Sequence, residues 1–261
     1  VLAGKHWYAG GYNLRFHWHN WNVTEVNEYW SYAFNGISTC NRIKYQVEKL
    51  ENPSQTAKDM LAEVRALRAY YYFWMLDLYG NVPIIKKHDV PEGYAPSNKS
   101  RDEVYDFVVS ELESAVNNLP AEVNPQTYGR MTKWAGYTLL AKLYLNSLVY
   151  SGDDPVNITQ GEAKWQEAID ACDKVIESGN YSLEEDYFAN FVNNNENSTE
   201  NIWVIPTDPT YTSWEFPLQI WSTPGNAQEL YEGYGHNGNP GICATPTFYH
   251  SYSEGDIRQG I

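Results

Sequence analysis

The chain has 261 residues, of which 33 are acidic and 18 basic, for a formal net charge of -15. That length suits one large domain or two small ones, and that charge repels a phosphate backbone and argues against a nucleic-acid partner. No apolar run reaches the ~18 residues needed to cross a bilayer. With neither an initial Met nor a signal peptide at Val1, the sequence reads as a piece of something longer.

The aromatic content is high, with 22 Tyr, 10 Trp and 8 Phe making 15% of the chain. Trp74, Trp134 and Trp165 fall on predicted helices and are expected in the core. Trp7, Trp18, Trp21 and Trp30 crowd the first thirty residues, and Trp203, Trp214 and Trp221 lie close together near the other end. These two stretches are otherwise polar and rich in Gly, Asn and His, which calls for a reason other than core packing. Cys40, Cys172 and Cys243 form no Cys-x-x-Cys pair, and Cys40 and Cys172 stand on apolar helical faces, where a small buried hydrophobe is the default.

In chain order, residues 1 to 24 read as loop with one short strand around Phe16 to His19. His17-x-His19 could ligate a metal, but no carboxylate or third His supports it nearby. From about Glu25 to Leu50, Trp30, Phe34, Ile37, Asn41 and Tyr45 share one helical face. Asn52-Pro53 breaks that helix, and the next runs through Glu63 to Tyr79, giving a first antiparallel pair.

Within this second helix Leu61, Val64, Leu67, Tyr71, Met75 and Leu78 form a stripe. From Ala69 to Leu76 nearly every position is apolar, so the helix is expected to be buried on most sides. Gly80 and Pro83 stop it. Arg65 and Arg68, one turn apart, are expected to tie it to its neighbours, because a buried guanidinium needs carboxylate or carbonyl partners.

A polar loop leads to Ser100, a plausible cap with Glu103 three residues on. A helix follows from about Arg101 to Asn118, with Val104, Phe107, Val108, Leu112, Ala115 and Val116 as its apolar face. Arg130 to Leu148 carries Trp134, Ala135, Leu139, Ala141, Leu143 and Tyr144 and makes a second pair with it. Glu162 to Glu177 is a fifth long helix, with Trp165, Ala168, Ile169, Cys172, Val175 and Ile176 expected to face inward.

Recurring helix pairs with Trp, Ala, Tyr and Gly punctuation predict a mainly α fold of tetratricopeptide-like repeats. Beyond Tyr181 the pattern changes to a solvated Asn193–Ser198 loop, a short strand over Ile202 to Ile205, and a long irregular region from 206 to 247. A stretch of that length is functional or disordered, and its aromatics argue for order.

The run from Glu63 through Phe73 to Leu78-Tyr79-Gly80-Asn81-Val82-Pro83 strongly resembles the signature helix of the SusD/RagB family. Trp30-x3-Phe34-x2-Ile37-x3-Asn41 is similar to the family's preceding helix. Arg130-Met131-Thr132-Lys133 with Leu140 to Leu145 is similar to a later repeat helix. Trp165-x2-Ala168 to Ser178-Gly179-x-Tyr181-x-Leu183 resembles the third repeat, and Gly255-Asp256-Ile257-Arg258 the turn after the binding insertion. Trp7-Tyr8-x-Gly10-Gly11 with Phe16-His17-x-His19-x-Trp21 is likewise similar to a stretch in many members.

Departures are the missing lipidated cysteine and signal peptide, Asn81 where Asp is frequent, and Lys5-His6 where Gly-Asp is common. The resemblance implies a single SusD-like domain over 1–261, incomplete at both ends. A helical scaffold over 25–180 would carry loops 1–24 and 203–247 as the ligand-binding face.

The resemblance further implies a lipid-anchored protein of the outer-membrane cell surface. Such a protein captures an oligosaccharide without catalysis and passes it to a SusC-like TonB-dependent transporter. Physical chemistry points the same way, because the C–H face of a sugar ring lies well on an indole or phenol while its hydroxyls need polar partners. Candidate ligand-binding residues are Trp7, Arg15, Trp18, Asn20, Trp21, Trp214, Trp221, Tyr231, Tyr234 and Asn237.

A peptide-binding repeat scaffold and a carbohydrate-active enzyme are the rival readings. Glu184, Glu185 and Asp186 are adjacent rather than placed across a scissile bond, and no Gly-x-Ser-x-Gly elbow is present. Gly233-x-Gly235-x-x-Gly238 fits the dinucleotide fingerprint but follows no clear strand, and Pro240 denies it a helix. No cofactor is expected; Asp153, Asp154 and Asn157 offer calcium three oxygens, short of a full site.

Overall fold

The computed structural model describes residues 2–4, 18, 20, 23–152, 161–192, 194–206, 210, 226–230, 238 and 242–259. The chain divides into two compact units, Glu28–Pro206 and the combination of Val1–Asn27 with Thr207–Ile261. The architecture is mainly helical. The long helices are α1 (Val23–Glu48), α2 (Gln55–Tyr79), α3 (Arg101–Val116) and α4 (Lys133–Leu145); the short α5 (Ser147–Tyr150) and then α6 (Trp165–Ile176) follow.

Each boundary has a local cause. The Ser54 hydroxyl opens α2 by accepting from the Ala57 N–H at 3.2 Å. Gly80 closes it with φ 68°, a conformation that costs glycine nothing. Ser100 and Glu103 form the capping box expected for α3, with the Ser100 N–H donating to the Glu103 carboxylate at 3.1 Å. The Thr132 hydroxyl caps α4 by accepting from the Ala135 N–H at 3.2 Å.

The core of the helical unit gathers Ile37 from α1, Tyr72, Met75 and Leu76 from α2, Val104, Val108 and Leu112 from α3, and Leu139 and Leu143 from α4. Fully burying a side chain the size of Leu76 contributes about 1.5 to 3 kcal/mol. The buried apolar face of α2 is Ala62, Val64, Ala66, Ala69, Tyr72, Met75 and Leu76; Val64 and Met75 of the expected stripe lie on it, whereas Leu61, Leu67 and Tyr71 are half-buried and Leu78 is exposed. Its alanines lie on the closely packed side, and α2 packs most closely on α3. Bulk was the wrong guide there, because small side chains are what let two helices approach.

Nor is α2 buried on most sides: Trp74 is 42% exposed, and Asp77 and Leu78 are exposed with it. Aromatic rings join α1 to α2, with Trp30 and Tyr79 at a centroid distance of 5.2 Å and Phe34 against Tyr72 at 6.4 Å. Gly36 makes room for this packing, since a Cβ there would lie 2.4 Å from the Tyr71 ring.

Arg68 is 2% exposed and ties three helices together. Its guanidinium donates to Asn41 Oδ1 of α1 at 2.6 Å and pairs with Glu111 of α3. Asn41 in turn donates to the Ile85 carbonyl at 2.8 Å, and the Ile85 N–H donates to the Tyr72 hydroxyl at 2.7 Å. Arg65 does less than expected. It is half-buried, with one long hydrogen bond to the Ser114 hydroxyl at 3.4 Å.

The expected burial of α6 fails in an instructive way. Ala168, Ala171 and Val175 are buried, and α6 packs closely on α4. Trp165 at 58% and Ile176 at 71% are exposed, together with Ile169 and Cys172. The apolar arc of α6 is therefore wider than the part α4 covers, and periodicity alone cannot report which part has a neighbour. Trp134 is also outside the core proper; it is half-buried, and its indole N–H donates to the Ala121 carbonyl at 2.8 Å.

Cys40 and Cys172 should thus differ in reactivity. Burial pushes the Cys40 thiol up to about 11, while Cys172 is exposed. Iodoacetamide at pH 8 should modify Cys172 and leave Cys40 untouched until denaturant is added, as read by peptide mass mapping; equal labelling of both would contradict the burial.

In the other unit, β1 (Leu2–Gly4) pairs antiparallel with β2 (Ile242–Ala244), placing Leu2 opposite Ala244 and Gly4 opposite Ile242. Two short helices, α7 (Ala227–Leu230) and α8 (Pro246–Tyr249), flank β2 in sequence. Arg258 closes the following turn, its Nε donating to Asp256 Oδ1 at 2.8 Å; this guanidinium holds the Asp256 carboxyl down at about 2. The strand expected around Phe16 to His19 is not seen at Trp18, which sits in a turn, and Phe16, His17 and His19 lie outside the described residues. Residues 202 to 205 form bends and irregular backbone rather than a strand, and among the described residues no segment pairs with them.

Candidate functional site

Of the residues that sequence reasoning singles out for ligand, two are described. Trp18 is 64% exposed in its turn, and Asn20 is exposed two residues on. Trp7, Arg15, Trp21, Trp214, Trp221, Tyr231, Tyr234 and Asn237 lie outside the described residues, as do His17, His19 and the Asp153, Asp154 and Asn157 set. Among the described residues no cluster of His, Cys, Asp and Glu could hold a metal ion, and no helix is long and apolar enough to cross a membrane.

An exposed indole and, two residues on, an exposed amide offer the two chemistries that a sugar requires, a flat apolar surface and a hydrogen-bonding group. The β1–β2 pairing joins the first residues of the chain to the segment after the second aromatic stretch. Both aromatic stretches thereby fall largely in the one unit that combines Val1–Asn27 with Thr207–Ile261.

The helical unit holds a second feature that sequence reasoning missed, a cleft of about 490 Å³ between the 123–132 segment and residues 180–204. Its bed is aromatic, from Tyr128, Tyr181 and Trp203, and Asn180, Asn197 and Asn201 stand along it. The first wall is a tight turn in which Asn124 Oδ1 accepts from the N–H groups of Gln126 and Thr127 at 2.9 and 3.2 Å. Gly129 completes it with φ 76°, where a Cβ would lie 2.5 Å from Pro206. The second wall is pinned by acidic side chains: Glu184 accepts from the Thr199 N–H at 2.6 Å, and Glu200 from the Asn190 amide at 2.8 Å.

At the floor Trp203 meets Tyr70 of α2 edge-on, with centroids 4.7 Å apart and planes at 90°. Arg130 lines the cleft, but its charge is engaged by Glu63 of α2 through two hydrogen bonds, one of them 3.1 Å, and that pairing raises the guanidinium's already high pKa. The one sign in the sequence was the Asn124-Pro125 turn facing an Asn-rich segment. Neither has a periodicity that would bring them together.

Comparison with known proteins agrees with this architecture. A family profile described as starch-binding associating with outer membrane matches residues 4–145. The starch-binding protein SusD of Bacteroides thetaiotaomicron is 30% identical over 192 residues, covering 72% of this chain and 32% of that protein. A SusD superfamily protein from Parabacteroides distasonis superposes with a TM-score of 0.81 at 22% identity, covering 99% of this chain and 53% of the other. Surface glycan-binding protein A from Bacteroides thetaiotaomicron, solved in complex with laminarihexaose, superposes with a TM-score of 0.70 at 23% identity, over 89% and 48% of the two chains. The chain spans about a third of the length of the curated relatives it matches. With the profile covering more than half of its residues, the chain belongs to the SusD-like family.

Proposed function

We propose that this chain belongs to a non-catalytic protein that binds oligosaccharides at the outer-membrane surface. In this reading the full-length protein is held there by a lipid anchor and passes its ligand to a SusC-like TonB-dependent transporter. The sugar lies on the indole and phenol faces of Trp7, Trp18, Trp21, Trp214, Trp221, Tyr231 and Tyr234, and Arg15, Asn20 and Asn237 meet its hydroxyls. Flat rings of this kind give contact area at little cost in side-chain entropy.

The observation that carries the reading is the exposed Trp18–Asn20 pair in a unit that also contains the second aromatic stretch. Family membership supports it, as do one relative named for binding starch and another solved with laminarihexaose. Titration against plant, host and microbial oligosaccharides should find a saturable ligand. Trp18→Ala and Trp214→Ala should each weaken it by about 2 kcal/mol, roughly thirtyfold in Kd, as for a buried aromatic anchor. Unchanged affinity in both variants would remove the assignment of the site.

A further inference from the structure

We propose that the cleft of the helical unit is a second saccharide-binding site, which shares Trp203 with the start of the second aromatic stretch but is separate from the site assigned to Trp18 and Trp214. Its volume of about 490 Å³ falls in the range of small-molecule sites. Its chemistry selects among small molecules. Tyr128, Tyr181 and Trp203 supply an apolar bed suited to the C–H face of a pyranose.

The polar groups along that bed are neutral and uncommitted. Among the described residues, the side-chain amides of Asn180, Asn197 and Asn201 have no hydrogen-bond partner, and the Tyr128 hydroxyl likewise has none. Each amide both donates and accepts, as each sugar hydroxyl does. The Trp203 indole N–H, buried beneath this bed, has no acceptor either.

Charge narrows the ligand further. Arg130 is spent on Glu63, which leaves Glu196 as the free charge among the described lining residues. An anionic ligand would find no unpaired cation there, whereas an uncharged polyhydroxyl chain pays no such penalty. The walls are also set in advance, by the Asn124 turn, by Gly129 against Pro206 and by the Glu184 and Glu200 anchors. A site already in its binding shape loses little entropy when ligand arrives.

The test uses the 261-residue chain with laminarihexaose and maltohexaose as probes, followed by calorimetry, in a background carrying Trp18→Ala and Trp214→Ala. The expected result is residual binding of one equivalent of at least one hexasaccharide, weakened at least tenfold by adding Tyr128→Ala with Asn201→Ala. Tyr128→Phe, which keeps the ring and removes only the hydroxyl, should weaken it about threefold, and circular dichroism checks that each variant folds. Loss of all binding in the Trp18→Ala, Trp214→Ala background, or residual binding indifferent to the cleft substitutions, overturns the second site while leaving the aromatic-loop reading intact. Binding that ignores Trp18 and Trp214 but disappears with Tyr128 and Asn201 overturns the aromatic-loop reading and leaves the cleft as the site.

Discussion

Replacing Arg68 by Ala is expected to cost about 3 kcal/mol, because it strands a largely buried carboxylate and a buried amide at once. Glu111 would lose the guanidinium that neutralises it, and Asn41 Oδ1 the donor it accepts from at 2.6 Å. For a chain of this size the melting temperature should fall by roughly 10 °C. The double variant Arg68→Met with Glu111→Leu should recover most of that loss, since it removes the charge pair without leaving one member behind. A single variant that melted within a degree or two of the parent would show that Arg68 does not tie the helices.

The second large effect is alkaline unfolding. Burial raises the Tyr72 hydroxyl to about 12, and Tyr105, Tyr144 and Tyr150 are raised by burial as well. Glu113 accepts the Tyr144 hydroxyl proton at 2.7 Å and Asp77 that of Tyr150 at 2.5 Å; both carboxylates oppose a phenolate beside them. A folded pKa above the unfolded value near 10 means that the fold holds the proton more tightly than the unfolded chain does.

The resulting stability is therefore complete below pH 10 and is lost as pH rises toward 12. Tyr72 alone accounts for about 2 to 3 kcal/mol across that window, and the other three act in the same direction. Far-ultraviolet circular dichroism should show cooperative unfolding near pH 11. Tyr72→Phe should move the midpoint upward provided that the hydrogen bond its oxygen accepts from Ile85 is worth less than the titration. A midpoint unmoved by substitutions at all four tyrosines would contradict this account.

The helices were legible because periodicity, caps and breakers act locally. Ser100 with Glu103, the Asn52-Pro53 break and Gly80 each mark a boundary that the fold respects. Which part of an apolar arc is covered was not legible, as Trp165 and Ile169 on α6 and Leu78 on α2 demonstrate. Ala66 and Ala69 carried that information for α2, but as smallness rather than hydrophobicity. Arg68 meets Asn41 and Glu111, as a buried charge must find partners. Arg65 has the same spacing signal but sits a turn away, facing Ser114 at the surface.

The candidate sites were unequally visible. Trp18 stood out because tryptophan is rare in a loop of Asn and His. The cleft did not, because Tyr128 and Trp203 are 75 positions apart in sequence and come to line one cleft only in the folded chain.

The central claim is capture without turnover, and one measurement addresses it directly. The chain is saturated with each hexasaccharide that binds it, held overnight at 37 °C, and the sugar is recovered and separated by size. The account predicts a saturable titration and a hexasaccharide returned at full length. Shorter sugars accumulating in proportion to protein and time would contradict it.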